Sequence, residues 1–171
     1  KYNFQSSNVT LLTDKKELFS NKKTTITDKS NLYKLEKFRY FVEKEELKGE
    51  KILINTNYNL PTSDKIYFLN AIINLKKQSF FGSDVKIKIR KDIFEDTNND
   101  PRILGVSASS NINKTKINKA VFTSCQQNEK CVPWSIKAKE IIHDKERKEI
   151  VYNNALLKIY NFPVLYFPKF F

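Results

Sequence analysis

The strongest constraint on the fold is a period of two in the hydrophobic pattern. Residues 85–90 read Val-Lys-Ile-Lys-Ile-Arg, so Val85, Ile87 and Ile89 alternate with three cations. Because successive side chains of a β-strand point to opposite faces, this run predicts a strand with one buried face. Similar alternation, which predicts further half-buried strands, recurs in residues 49–56, 115–123 and 134–139.

Turn-forming residues separate these runs, in the rhythm of an antiparallel roll rather than of βαβ units. Clusters rich in Asn, Asp and Ser occur at residues 57–64, 78–84, 96–101, 109–113 and 143–148. The best helical candidate, residues 33–47, contains Phe-Arg-Tyr-Phe-Val, a composition that favours strands. We therefore predict an all-β chain.

Three segments resemble one another loosely, and each carries an Asn-Ala or Asn-Lys-Ala step. They are Leu69-Asn-Ala-Ile-Ile-Asn-Leu75, Ile117-Asn-Lys-Ala-Val-Phe-Thr123 and Tyr152-Asn-Asn-Ala-Leu-Leu-Lys158. Stacked strand pairs that bury the same face produce such a pattern, which predicts successive rungs of an elongated roll.

The charge balance points to an anionic partner without defining it. The chain has 31 Lys and Arg residues against 19 Asp and Glu residues, a net charge of +12. Nucleic acid, anionic lipid and other phosphate-bearing partners all fit this charge. Arginine is the residue that favours bidentate recognition of bases and phosphates, and only four of the basic residues are Arg. The lysines are dispersed along the chain. We therefore expect no nucleic-acid partner.

Residues that carry catalysis are sparse. The single histidine, His143, precedes Asp144 in a charged hairpin turn, where adjacent side chains seldom converge on one centre. Three glycines are too few for a phosphate-binding loop, and two cysteines with one distant histidine are too few for a tetrahedral zinc site. We predict a non-enzymatic chain with no cofactor and no metal.

The two cysteines, Cys125 and Cys131, are separated by five residues. A disulfide is favoured over a metal site and would indicate an oxidising compartment such as a periplasm. Two unpaired thiols are the alternative.

Four segments of the C-terminal third carry a resemblance to a known family. They are Phe-Thr-Ser-Cys at 122–125, Pro-Trp-Ser-Ile-Lys-Ala-Lys-Glu-Ile-Ile-His-Asp at 133–144, Tyr-Asn-Asn-Ala at 152–155 and Pro-Val-Leu-Tyr-Phe-Pro at 163–168. Residues 106–171 thereby resemble the periplasmic OstA-like domain of the LPS-assembly protein family LptD. Residues 9–89 are compatible with the repeated hairpins of that family.

The resemblance implies an elongated β-jellyroll of stacked antiparallel hairpins, open along one side. Such a domain accepts lipopolysaccharide from an LptA-like periplasmic bridge protein and shelters its acyl chains. It passes the lipid to a C-terminal outer-membrane β-barrel, which holds an LptE-like plug lipoprotein. By this resemblance, residues 1–160 form the jellyroll at the periplasmic side of a Gram-negative outer membrane. Residues 161–171 begin the connection to the barrel.

The resemblance also implies roles for particular residues. Cys125 resembles a family cysteine that forms a disulfide to the barrel, so its partner is either Cys131 or the barrel. The edge strand that joins the bridge protein would lie at Val9, Leu11 and Thr13. The inward-facing apolar residues that would line a lipid lumen are Ile52, Ile54, Ile72, Val85, Ile87, Ile89, Val106, Ala108, Ile117, Val121, Trp134, Ile136 and Ala138.

Three other functions stay open from the sequence: a free bridge protein of the LptA or LptC type, a structural β domain with a filled core, and a basic nucleic-acid-binding domain. Alternation alone does not separate a lipid-filled gap from an ordinary core, because both have an apolar inner face.

Overall fold

The computed structural model describes residues 2–60, 63–89, 99–126, 133–147 and 149–171, and every regular element in these ranges is a β-strand. The strands are β1 (Asn3–Ser6), β2 (Thr10–Leu12), β3 (Glu17–Ser20), β4 (Thr24–Thr27), β5 (Asn31–Leu35), β6 (Lys37–Phe41), β7 (Glu46–Thr56), β8 (Asp64–Asn74), β9 (Ser79–Lys88), β10 (Arg102–Ser110), β11 (Lys114–Thr123), β12 (Trp134–Asp144), β13 (Glu149–Ile159) and β14 (Phe162–Phe170). The prediction of an all-β chain is confirmed, and residues 33–47 contribute to β5, β6 and β7.

The strands form one antiparallel sheet whose N-terminal end divides into two leaves. From β7 to β14, each strand pairs with the next one along the chain. β7 has two partners on one side, because residues 46–50 pair with β6 and residues 53–56 pair with β5. One leaf continues from β6 to β3 and β2, and the other from β5 to β4 and β1.

A crease crosses the middle of strands β7 to β14. Regular pairing is interrupted there on each strand, around Lys51, Leu69, Asp84, Val106, Lys119, Lys139, Asn154 and Pro168. On every second strand the crease residue has a positive φ, between 46° and 51°. A left-handed residue within a strand acts as a bulge and bends it, so the sheet folds along this line.

The crease shifts the phase of the alternation by one residue. On β8, Ile66 and Phe68 are buried before the crease and Ala71 and Ile73 after it, whereas the intervening residues 69–70 are exposed. Two successive residues therefore point outwards at the bend, and both halves of the strand keep their apolar side towards the core. Each strand thus contributes one half to each of two facing walls.

Wall one consists of residues 46–50, 70–74, 79–83, 107–110, 114–118, 140–144, 149–153 and 169–170, and the leaf of β6, β3 and β2 extends it. Wall two consists of residues 52–56, 64–68, 85–88, 102–105, 120–123, 134–138, 155–159 and 162–167, and the leaf of β5, β4 and β1 extends it. Ring contacts connect the walls across the core: Phe4 of β1 lies 5.9 Å from Phe38 and 5.3 Å from Tyr40 of β6.

The path from β1 to β14 crosses eleven strands, and at a spacing of about 4.8 Å this makes the roll about 48 Å long. Within the described residues β1 pairs only with β4 and β14 only with β13, so the sheet stays open. The predicted fold class, an elongated, open β-jellyroll of stacked antiparallel hairpins, is confirmed.

Candidate functional site

The interior between β4 and β9 is a filled core. Ring contacts span it, as at Phe68 and Phe80, whose centroids are 5.1 Å apart. Its buried side chains are Ile26, Tyr33, Leu35, Phe38, Tyr40, Leu47, Ile52, Ile54, Ile66, Phe68, Ile73, Leu75 and Val85. This part of the roll has the close packing of an ordinary protein core.

Small residues occupy the inner side of the crease, where the two walls meet. The three glycines of the chain lie there, together with five buried alanines: Gly49, Gly82, Gly105, Ala71, Ala108, Ala120, Ala138 and Ala155. A Cβ at Gly82 would come within 2.9 Å of the Ala71 methyl group, which shows how narrow the corner is. The Asn-Ala and Asn-Lys-Ala steps of the sequence mark this corner on β8, β11 and β13.

Towards β14 the interior opens, and inward-facing apolar side chains become accessible. Leu165 is 52% exposed and Ile159 is 44% exposed, although both lie on the apolar side of their strands. Their register neighbours complete the surface that we call the mouth, which consists of Ile136, Leu157, Ile159, Leu165 and Phe167. Because apolar surface in contact with water is unfavourable, the mouth is suited to receive an apolar ligand or chain.

An aromatic cluster on wall one borders the mouth. Tyr152 and Phe170 stack with parallel rings 4.4 Å apart, and Phe167 lies 5.2 Å from Phe170. Burial raises the pKa of the Tyr152 phenol, so this hydroxyl stays neutral well above physiological pH. The C-terminal aromatics are therefore part of the roll and form one side of its open end.

Ten of the thirteen residues predicted to line a lumen face the interior. Seven of them are fully buried: Ile52, Ile54, Val85, Ile87, Ala108, Ile117 and Ala138. Ile89, Trp134 and Ile136 are half-buried, and Trp134 contacts the core residue Phe122 with ring centroids 5.7 Å apart. Ile136 belongs to the mouth and Trp134 pairs in register with its residue Ile159, and the lipid-lining role of all ten stays a prediction.

The orientation of the other three predicted lumen residues is corrected by the structure. Ile72 is 39% exposed and Val106 is 55% exposed on the outer side of wall one and of the crease. Val121 lines an outer groove together with Leu104 and Val106. All three were placed by extending the alternation through the crease, where the inward phase changes by one residue.

Both ends of the roll carry edge strands. At the N-terminal end, β2 pairs only with β3 in the described part of the chain, and it is flanked by Val9 and Thr13, with Leu11 at its centre. At the C-terminal end, Phe162–Phe170 forms β14 of the same sheet and lies within residues 161–171, whose role as the start of a connection to a barrel stays a prediction. Pro163 and Pro168 are compatible with an edge position because proline lacks a ladder donor. A partner at either edge stays a prediction.

Cys125 lies at the end of β11 in a segment held by polar contacts. Its N–H donates to the Thr123 hydroxyl at 3.2 Å, and its Sγ lies 3.6 Å from the Trp134 carbonyl oxygen. The buried Arg102 donates to the Cys125 carbonyl and pairs with Asp100 at 3.6 Å. Cys131 lies outside the described residues, so the predicted disulfide stays a prediction.

The polar side chains at the ends of the hairpins stabilise the turns. The Asp144 carboxylate accepts the N–H groups of Glu146 and Arg147 at 3.2 and 3.1 Å and pairs with Lys114 at 3.3 Å, contacts that lower its pKa. It is therefore engaged by the turn and not by His143, whose own pKa is lowered by burial.

A second cluster brings Ser110 and Lys145 together. The Lys145 amine donates to the Ser110 hydroxyl at 3.0 Å and to the Asn111 carbonyl at 2.8 Å, and burial lowers its pKa. Thr115 shares a 2.7 Å hydrogen bond with the same hydroxyl. These bonds tie the β10–β11 turn to the β12–β13 turn, a structural use of both groups.

Neither a metal site nor a membrane-spanning helix is found in the part of the chain that the structure describes. No group of three or more His, Cys, Asp or Glu side chains is arranged to hold an ion among these residues. A search of the same residues finds no helix with the length and hydrophobicity needed to cross a bilayer.

The mouth was missed at the sequence level. The aromatic-proline run of 163–168 drew attention to this region, but it was interpreted as a connecting segment. The structure identifies β14 as the second strand of a hairpin. Tyr160 and Asn161 form its two-residue turn and both have positive φ, as hairpin turns of this length require.

Comparison with known proteins yields a structural neighbour and no sequence relative. No protein-family model matches the chain, and no curated protein matches it. Among solved structures, it is similar to the crystal structure of LptH, the LptA-homologous periplasmic component of the lipopolysaccharide transport device of Pseudomonas aeruginosa. The identity is 9% and the TM-score 0.48, over 90% of this chain and 82% of that one.

Proposed function

We propose that this chain is a non-catalytic periplasmic conduit for lipopolysaccharide, whose apolar interior shelters acyl chains during transfer to the outer membrane. The observation that carries the proposal is the mouth, an apolar inner surface that the fold leaves accessible at the β14 end. The resemblance of residues 106–171 to the OstA-like domain supports the choice of lipid.

The mouth fits an acyl chain by hydrophobicity. Burial of an acyl chain stabilises a complex by about 0.8 kcal/mol per methylene group, so even a short buried segment gives useful affinity. The sugars and phosphates would stay in water outside the open side of the roll.

Two forms of this function share the same chemistry. In one, the chain is the periplasmic domain of an LptD-like assembly protein, and its C-terminal edge leads into a barrel with an LptE-like plug. In the other, it is a free bridge protein of the LptA type. The exposed edge at β14 supports either form, because an added strand or a following domain would continue the two walls.

A pair of photocrosslinking variants tests the conduit. Leu165 and Tyr166 are neighbours on β14 with similar exposure, 52% and 58%, and they pair in regular register with Leu157 and Leu156, so their side chains point to the inner and outer faces. A benzophenone amino acid at position 165 should capture lipopolysaccharide in cells that are transporting it. The same amino acid at position 166 should capture much less, since it faces away from the mouth.

The result is read as a ratio, which separates the possible functions. Capture at position 165 that exceeds capture at position 166 by about tenfold supports the conduit. Equal capture at both positions, or none at position 165 and none at the deeper position Ile136, refutes it. The second outcome indicates a structural domain with a filled core.

A further inference from the structure

The outer faces of the two walls differ in how their cations are neutralised. On wall one and its leaf, five of six outward-facing basic residues form ion pairs: Lys37 with Glu50 (3.0 Å), Arg39 with Glu17 (3.5 Å), Lys48 with Glu46 (3.6 Å), Lys114 with Asp144 (3.3 Å) and Lys116 with Glu140. Lys169 is the sixth. This face is close to electrically balanced.

The outer face of wall two and the adjoining crease carry a cluster of lysines without acidic partners. Among the described residues, seven outward-facing lysines form no ion pair, and we call them the basic face: Lys34, Lys65, Lys86, Lys119, Lys137, Lys139 and Lys158. Lys51 beside them is neutralised by Glu36 at 2.8 Å. Among the strand residues of the two walls, unpaired cations are therefore more numerous on the outer face of wall two than on that of wall one.

The basic face is continuous and has an apolar component. It runs from β5 to β13, seven strand spacings or about 34 Å. One register row crosses it and combines two lysines with five apolar or aromatic residues: Leu53, Tyr67, Lys86, Leu104, Val121, Lys137 and Leu156. A surface that mixes lysines with exposed aliphatic side chains is typical of a protein face that lies on a membrane.

Two shallow grooves on this face repeat the same combination. One, of about 390 Å³, is bordered by Lys86, Lys119 and Asp84 and has Leu104, Val106 and Val121 along it. The other, of about 380 Å³, is bordered by Lys23, Lys34 and the Lys51–Glu36 pair and contains Leu53 and Tyr67. Each groove offers ammonium groups to a phosphate and an apolar floor to the carbons next to it.

We propose that the basic face docks on the surface of an anionic phospholipid bilayer, with the roll axis parallel to the membrane. Charge complementarity and the apolar row select a lipid surface over a nucleic acid. The one arginine on this side of wall two, Arg102, is buried and bonded to Asp100 and Cys125, so the face offers no guanidinium fork to bases or phosphates. The docking site lies outside the roll and is independent of the lumen.

Co-sedimentation with vesicles tests this docking. The chain should bind vesicles of equal parts phosphatidylglycerol and phosphatidylethanolamine at low salt, and not vesicles of phosphatidylcholine. A triple variant, Lys65→Gln with Lys86→Gln and Lys137→Gln, should bind about a hundredfold more weakly, a factor of about five per lysine. The matched control, Lys37→Gln with Lys48→Gln and Lys114→Gln, removes the same net charge from wall one and should bind within threefold of the wild type.

A second variant tests the face without changing the charge. Val106→Ser removes one exposed apolar contact beside the groove and should weaken vesicle binding about threefold, with an unchanged melting temperature. Equal losses in the two triple variants, binding to phosphatidylcholine, or complete displacement by a short single-stranded DNA would each overturn the proposal. None of these outcomes affects lipopolysaccharide capture at position 165, so the two proposals fail separately.

Discussion

The inner corner of the crease has room only for small residues, and Gly82→Ala tests this limit by adding a single methyl group. Gly82 lies on β9 at the inner corner, with a φ outside the left-handed region, so alanine fits its backbone. A methyl group there would meet the Phe68 ring, with Cε1 at 2.8 Å and the Ala71 methyl at 2.9 Å. Carbon atoms in proteins pack at about 3.5 to 4.0 Å, so the ring and the corner must move by more than 0.5 Å.

The expected cost follows from two opposing effects. Overpacking a tight core costs about 1–3 kcal/mol, because side chains leave their rotamers or the backbone shifts. Replacing glycine lowers the entropy of the unfolded chain and returns about 0.4–1 kcal/mol. We therefore expect Gly82→Ala to lower the free energy of unfolding by about 1–2 kcal/mol, which for a chain of this size lowers Tm by about 3–8 °C.

Urea denaturation monitored by the single tryptophan and by circular dichroism measures this change. Gly49→Ala should cost less than Gly82→Ala, since its nearest neighbours would be 3.0 Å away and one of them is the end of the flexible Leu35 side chain. Ser83→Ala, on the outer side of the same strand, should stay within about 0.5 kcal/mol of the wild type. An alanine at position 82 that is neutral or stabilising would refute the tight corner, and with it the bend of the sheet at this line.

Two further changes test the ends of the roll. Burial and the neighbouring Asp28 carboxylate raise the pKa of Tyr33 far above its unfolded value of about 10, so its contribution is complete below about pH 10 and is lost as the pH rises. In a plot of the urea midpoint against pH, the wild type should fall above about pH 10, because the unfolded state releases one more proton than the folded state. Tyr33→Phe removes this proton, so its midpoint should fall less steeply, and parallel curves would contradict this assignment. Tyr160 has a φ of 47° in the two-residue turn, so Tyr160→Asn should stabilise the chain by up to about 1 kcal/mol, whereas Tyr160→Ala, which lacks the tolerance of asparagine for this conformation, should not. An equal gain from both in thermal denaturation would show that the effect is not conformational.

The strands could be predicted because the information that defines them is local. Val85, Ile87 and Ile89 alternate with cations in the sequence, and they face the core in the structure. Residues 33–47 resemble a helix in their content of Glu and Lys, yet Phe38 and Tyr40 alternate with polar residues, and both are buried. Period and β propensity therefore outweighed charge composition.

The crease could not be predicted in the same way, because only some of the residues that bend the strands favour a left-handed φ. Asp84 and Asn154 are of types that tolerate it, but Lys51 and Lys119 adopt it as well, and nothing in the local sequence marks those two. A shift of one residue in a period-two pattern moves every later side chain to the opposite face. The predicted inward orientation of Ile72, Val106 and Val121 was wrong for this reason. The Asn-Ala and Asn-Lys-Ala steps lie at the crease and were the sequence feature that marked it.

The distribution of aromatic contacts limits how a lipid can use this interior. Phe4 meets Phe38 and Tyr40, and Phe68 meets Phe80, so rings join the two walls throughout the N-terminal part of the roll. An acyl chain is itself about as wide as these ring separations, and it enters there only if the walls move apart.

Near β14 the ring contacts lie along the crease instead of across the interior. Tyr152 and Phe170 stack on wall one, Phe170 meets Phe167 where β14 passes the crease, and Leu165 on wall two is left accessible. A lipid therefore reaches the mouth without any separation of the walls, whereas its passage from β14 towards β1 requires rupture of the Phe68–Phe80 and Phe4–Phe38 contacts. If the chain conducts lipid along its full length, the walls must part in the N-terminal half, and the crease, with its small residues and left-handed bends, is the line about which they would turn.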